Sequence, residues 1–290
     1  MRHILPCLCA ALAFVAIHAA SAQEQLDLIS PKSIVAGSAF SIQSSGSGTA
    51  ALYIVGPDQV LERSLQLGTA VSFPAASLNN AGDYVVILSG DSRTRTASLE
   101  VLPQTEPAKI SLLARPSRLP VDVSNAITGA AYVFDSYRNL IVTPIKVSFE
   151  LSSPSGAKQS SSAVANDGAA WTEMNSTSSE GDDRFVAHAG RASVEREIRQ
   201  VPGNPCQLTM TAQQSGNRLE LQTAPIHDCS GNIVADGTIV TFTETYDGGQ
   251  STADVPVKRG IANVEMPDYR GAMLSVASGV VLGNQIRWEK

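Results

Sequence analysis

The chain has 290 residues, of which 43% are hydrophobic but only 5% aromatic and 17% charged, and it carries a net charge of −6. An acidic balance excludes nucleic acid or an anionic membrane surface as the main partner, because both are polyanions that call for clustered Lys and Arg. Abundant Ser, Thr, Ala, Gly and Val with sparse aromatics suit several small β-domains with modest cores.

Residues 1–22 read as a secretory signal peptide, with Arg2 at the start, a mostly apolar run from Ile4 to Ile17, and the small-residue site Ala20-Ser21-Ala22. The run is too short for a spanning helix, and no later segment could cross a bilayer. The expectation is an exported bacterial chain that begins at Gln23, is not membrane-spanning, and works in the periplasm or at the cell surface. Export removes Cys7 and Cys9 and leaves Cys206 and Cys229. In an oxidising compartment these two are expected to form a disulfide, stabilising the last domain by about 3 kcal/mol on the chain-entropy account. The competing reading is a metal site that adds His227; two thiols and one His are thin support for it. No Cys-x-x-Cys marks a reactive pair.

Residues 23–103 form the first domain. Short alternating stretches at Phe40–Ile42, Ala51–Val55, Val60–Leu61, Val71–Phe73, Tyr84–Leu88 and Ala97–Leu102 are separated by turn residues such as Gly56-Pro57-Asp58 and Asn79-Asn80. That spacing predicts a β-sandwich. Ala81-Gly82-Asp83-Tyr84 resembles the approach to an immunoglobulin F strand, with Tyr84 as a tyrosine corner and Val85 and Val86 fitting the core. Pro103-Gln104-Thr105-Glu106-Pro107 then makes a short, stiff linker.

A motif now occurs twice. Phe134-Asp135-Ser136-Tyr137-Arg138-Asn139-Leu140-Ile141 leads to the strand Ile145–Leu151, and His227-Asp228-Cys229-Ser230-Gly231-Asn232-Ile233-Val234 leads to the strand Ile239–Phe242. Each has an Asp, an Asn four residues on, and two apolar residues. Short Asp and Asn side chains bond nearby amides and tolerate left-handed backbone, so both stretches read as tight turns. Gly231 strengthens the second copy, whereas Arg138 in its place weakens the first. Ile145, Val147, Phe149 and Leu151 alternate with polar residues, the mark of an antiparallel sheet with one wet face. Repetition at domain spacing indicates tandem modules, here 107–202 and 205–290, joined through Pro202-Gly203-Asn204-Pro205. Within the first of these, Ser152–Ser162 reads as a mobile loop and Ser176–Asp183 as a second polar loop.

These residues resemble bacterial immunoglobulin-like repeats of the invasin/intimin type. Asp228, Gly231, Asn232, Val234, Val240 and Phe242 match that pattern in the last domain, and Asp135, Asn139, Ile141, Val147 and Phe149 match it in the middle one. The conspicuous later glycines of the pattern would be Gly168 and Gly260. The resemblance covers roughly residues 107–290 and implies an all-β fold of three tandem immunoglobulin-like β-sandwich domains after the signal peptide. It implies spacer, adhesion or assembly work.

Chemistry finds little support in the residues. His188 lies in an alternating strand and faces solvent, and His227-Asp228 belongs to a turn in which Asp228 caps a backbone amide. There is no Gly-x-Ser-x-Gly elbow, so no catalytic residues are assigned and no enzyme is expected. Glu180, Asp182 and Asp183 lack the spacing of a calcium loop and read as solvated loop charge, so neither metal nor cofactor is assigned. Trp171 is the candidate binding aromatic, set against core packing as its plainer role, and Trp288 closes the last sandwich. The expected function is a structural, adhesion or assembly module of the cell envelope whose partners are other envelope proteins. The alternatives are a small-ligand or polysaccharide-binding protein that recognises surface glycan and, third, an accessory region of an envelope enzyme.

Overall fold

The computed structural model describes residues 26–90 and 93–289. The signal peptide and the expected start at Gln23 lie outside these residues. Backbone contacts divide the chain into two compact units, one ending at Leu102 and one running from Pro103 onward.

In the first unit, eight strands form two sheets. They are β1 (Asp27–Ile29), β2 (Ser33–Val35), β3 (Phe40–Ser45), β4 (Thr49–Val55), β5 (Val60–Gln66), β6 (Val71–Phe73), β7 (Gly82–Ser89) and β8 (Thr94–Leu102). One sheet has the order β1-β3-β6 and the other β2-β8-β7-β4-β5. Alternation does the sorting: Leu52, Ile54, Tyr84, Val86, Leu88 and Leu99 all point into the core and are buried. The Tyr84 hydroxyl donates to the Asn80 carbonyl at 2.9 Å, which is the tyrosine corner. Val85 is half-exposed and belongs to the outer face, not the core. A strand turns successive side chains to opposite faces, so Val85 and Val86 could not both point inward.

The second unit holds two further pairs of sheets. The first pair is built from β9 (Lys109–Arg115), β10 (Arg118–Pro120), β11 (Ile127–Phe134), β12 (Ile145–Ser152), β13 (Lys158–Ala165), β14 (Ala169–Met174), β15 (Gly181–Ala189) and β16 (Ala192–Val201). These form a sheet β14-β11-β9 over a sheet β10-β16-β15-β12-β13. Ile127, Val133, Ile141, Val147, Phe149, Leu151 and Phe185 lie in the core between them. The second pair uses β17 (Met210–Ser215), β18 (Arg218–Thr223), β19 (Ile239–Tyr246), β20 (Gly249–Pro256), β21 (Asn263–Pro267), β22 (Met273–Ser278) and β23 (Val281–Arg287). They form β17-β18-β21 over β20-β19-β22-β23 around Leu219, Leu221, Val240, Phe242, Leu274 and Trp288. Pairing is antiparallel except where β2 meets β8 and β10 meets β16.

Two stretches expected as loops differ. Residues Lys158–Ser162 of the supposed Ser152–Ser162 loop belong to the strand β13 (Lys158–Ala165), paired with β12 from Ile145↔Ala165 to Ser152↔Lys158. Its serines gave no apolar signal because this is an edge strand, with one neighbour and mostly half-exposed side chains. Likewise β15 already begins at Gly181, so Asp183 is not loop charge but a fully buried strand residue.

Candidate functional site

The second unit is organised around its two Asp-Asn turns, and both are built in the same way. In the first, Asp135 Oδ1 accepts the amides of Tyr137 at 2.9 Å and Asn139 at 2.8 Å. In the second, Asp228 Oδ1 accepts those of Ser230 and Asn232, each at 2.9 Å. The Asn side chain folds back onto the Asp in both, from Asn139 at 2.9 Å and from Asn232 at 3.1 Å. Arg138 takes a left-handed φ of 71° where Gly231 takes 87°, so the conformation survives the exchange of Gly for Arg. Asp135 and Asp228 are themselves buried, which makes these amide donors obligatory.

The second carboxylate oxygen does something the sequence did not disclose. Asp135 Oδ2 accepts the amide of Gln104, 31 residues earlier, at 3.0 Å, and Asp228 Oδ2 accepts the amide of Gly203, 25 residues earlier, at 2.8 Å. Each turn therefore grips the connecting segment that leads into its own sandwich. Burial pushes the Asp228 carboxyl up, but the amides of Gly203, Asn232 and Ser230 and the Asn232 side chain outweigh it and hold the group below the ordinary Asp range.

The later glycines complete each turn. Asn166-Asp167-Gly168-Ala169 and Lys258-Arg259-Gly260-Ile261 close tight hairpins with left-handed φ of 50° then 79°, and 51° then 78°. A Cβ on Gly168 would lie 2.2 Å from Leu140 Cγ, and one on Gly260 would lie 2.8 Å from Ile233 Cγ2. The first apolar residue after each motif Asn thus rests on the bare face of the hairpin glycine. In matching fashion, Val133 N donates to Gly168 O and Ile226 N to Gly260 O. Two sequence signals that look separate are the halves of one contact.

The second turn also bridges the two sandwiches of this unit. Asn232 Nδ2 donates to Ser178 O at 2.8 Å, and Glu180 N donates to Asn232 Oδ1 at 3.3 Å. A shallow groove runs beside this bridge between Arg118, Glu180, Arg199, Ile233 and Asp236. Cys206 and Cys229 are joined across the base of the turn with a Cα separation of 4.9 Å, and Cys206 N donates to the carbonyl of His227. His227 Nδ1 sits 3.1 Å from the Pro225 carbonyl oxygen.

Other sequence candidates are scattered. His188 is exposed on β15, and its register partner on β12 is Ser148. Asp182 faces outward and pairs with Arg199 at 2.9 Å, while its neighbour Asp183 points inward and accepts from Thr177 Oγ1 at 2.9 Å. Burial pushes the Asp183 carboxyl up against the hydrogen bonds that favour its ionised form. Among the described residues, no three His, Cys, Asp or Glu side chains are gathered to hold a metal ion. Trp288 is buried, with its backbone bonded to Ala272 and Gly271 and its indole N–H given to Asp268 at 2.8 Å. Trp171 is 66% exposed on β14, so core packing does not explain it.

No protein-family model and no curated protein sequence matches the chain. Solved structures do. FdeC, an Escherichia coli adhesin, superposes with a TM-score of 0.62 at 16% identity, over 92% of this chain and 97% of its own. Invasin, a bacterial integrin-binding protein, superposes with a TM-score of 0.50 at 11% identity, over 91% of this chain and 60% of its own. The fold is that of bacterial immunoglobulin-like adhesins. At these identities the likeness is one of architecture. It agrees with the resemblance drawn from the Asp-Asn motif, and it extends beyond residues 107–290 to nearly the whole chain. Among the described residues, no helix is long and apolar enough to cross a membrane.

Proposed function

We propose that this chain is an exported envelope protein of a bacterium, and that its immunoglobulin-like domains (23–103, 107–202 and 205–290) form a structural, adhesion or assembly module that engages other envelope proteins. The observation that carries the reading is the doubled clamp, in which Asp135 holds Gln104 and Asp228 holds Gly203. A domain that clamps its own entry segment removes freedom from the connection that leads into it. That is what a spacer or presenting module needs, and a free-swinging linker would not supply it. The disulfide Cys206–Cys229 fits an oxidising compartment. The fold shared with FdeC and invasin supports the same reading.

The test is affinity capture with the tagged mature chain from the native envelope after cross-linking, read by mass spectrometry. A reproducible set of envelope proteins, lost when one sandwich is deleted, is the expected result. Retention on surface glycan with no protein captured would overturn the reading and turn attention to polysaccharide binding.

A further inference from the structure

The outer face of the sheet β14-β11-β9 is apolar at its centre, with Glu173 and Arg115 at one end and Lys109 at the other. In register across the three strands lie Trp171, Ala130 and Leu113, and one step along lie Glu173, Thr128 and Arg115. Trp171 is 66% exposed, Leu113 48%, and Tyr132, diagonal to Trp171 on the same face, 41%. Among the described residues neither Arg115 nor Glu173 has an ion-pair partner. Large apolar side chains contiguous on one exposed face and bordered by charge mark an interaction surface.

The arrangement is complementary to itself. The acid stands on β14 at one edge of the sheet, and the base stands in the same register row on β9 at the other edge. A two-fold axis lying in the interface along β11 lays β14 of one copy over β9 of the other. It sets Trp171 against Leu113, Glu173 against Arg115, and the small Ala130 against its own copy, where the sheets approach closest. An isologous contact of this kind satisfies both charges twice, and sheets packed face to face accept the angle their twist imposes. We propose that this face is the contact through which two copies of the chain associate. The proposal goes beyond the preceding reading and does not depend on it.

Three strands at their usual spacing and seven residues of length give a face of roughly 330 Å² per copy. That is below the size of a stable interface, so the dimer is weak.

The experiment is sedimentation equilibrium of the mature chain up to about 1 mM, a range that reaches weak association. Wild type is expected to show monomer and dimer. Trp171→Ala should weaken the dimer about 100-fold, since each dimer loses two buried anchors. Arg115→Glu and Glu173→Arg should each weaken it about tenfold, and the double reversal should restore it. The three side chains concerned, Trp171, Arg115 and Glu173, are exposed in the monomer, so melting temperatures should stay unchanged and exclude misfolding as the cause. A chain that is monomeric throughout the range overturns the proposal. So does a dimer indifferent to these substitutions, or a double reversal no better than the singles. A monomer whose Trp171→Ala variant loses retention on surface glycan would reassign the face to carbohydrate.

Discussion

Arg138 carries a backbone conformation that glycine carries in the sister turn, φ 71° against 87° at Gly231. A Cβ in the left-handed region costs roughly 1–2 kcal/mol, part of which glycine gives back through its floppier unfolded chain. Arg138→Gly is therefore expected to stabilise the second unit by about 0.5–1 kcal/mol, read as a higher denaturant midpoint at unchanged slope. Glu244 is a second residue at odds with its site. It is fully buried on β19, Oε1 takes the Tyr269 amide at 3.3 Å, and Oε2 has no hydrogen-bond partner. Burial pushes its carboxyl up, the Tyr269 amide partly opposes this, and the nearby Asp268 charge adds to it. A raised carboxyl in the folded state means that stability falls as pH climbs from the unfolded value, about 4.3, through the folded one, and stays lowered above it. Glu244→Gln should thus match wild type in thermal melts near pH 4 and exceed it in stability at pH 8. A constant difference across that range would show that the charge is not the cause.

At the scale of elements, the Asp-Asn turn and the Gly hairpin are one device. Leu140 on Gly168 and Ile233 on Gly260 join the stretch before the β12 or β19 strand to the β13–β14 or β20–β21 connection. The turn half was legible because Asp, Asn and Gly have few other reasons to recur at fixed spacing. The contact was not, because no local pattern says which apolar side chain will cover a distant glycine. Strand β13 carries no local signal for a related reason: its residues are held by pairing with β12, and its serines have no hydrophobic period. The disulfide is the opposite case, fixed by counting once Cys7 and Cys9 are set aside. It spans 23 residues of sequence, and the loop it closes limits the unfolded chain by about 3 kcal/mol on the entropic account. Cys229→Ser should lower the melting transition of the last sandwich accordingly and leave the first unit's transition in place. Equal melting in oxidising and reducing buffer would remove the bond from the account of stability.

Across the second unit, the load falls on Asp228. Its carboxylate ties the connecting segment at Gly203 to the turn, and the turn's Asn232 reaches Ser178 and Glu180 on the preceding sandwich. Asp228→Ala leaves three part-buried amides without their acceptor, a loss of about 2 kcal/mol. The expected outcome is a less stable last sandwich together with faster protease cleavage at 202–205. Because the Asp228 carboxyl is held below the ordinary range, its contribution is complete above the unfolded value near 3.9 and is lost as pH falls through the folded one. Wild type should therefore gain the variant's cleavage pattern only in acid, below the ordinary Asp range. Cleavage unchanged in Asp228→Ala would mean that the Gly203 bond does not hold the segment.

The sequence by itself determined the class of structure and its periodicity. Alternation of apolar and polar residues is a local property of a strand with one wet face, and the recurrence of Asp135-to-Asn139 at Asp228-to-Asn232 needs no folding to be seen. The pairing of Cys206 with Cys229, expected from counting, is the disulfide that the structure contains. The tertiary structure alone decided which carboxylate oxygen holds which distant amide, that Asp183 faces the core while Asp182 faces water, and that Trp171, Ala130 and Leu113 share one open face. Those facts depend on sheet register and on which face of each strand is covered, and both are set by pairing between segments far apart in the chain.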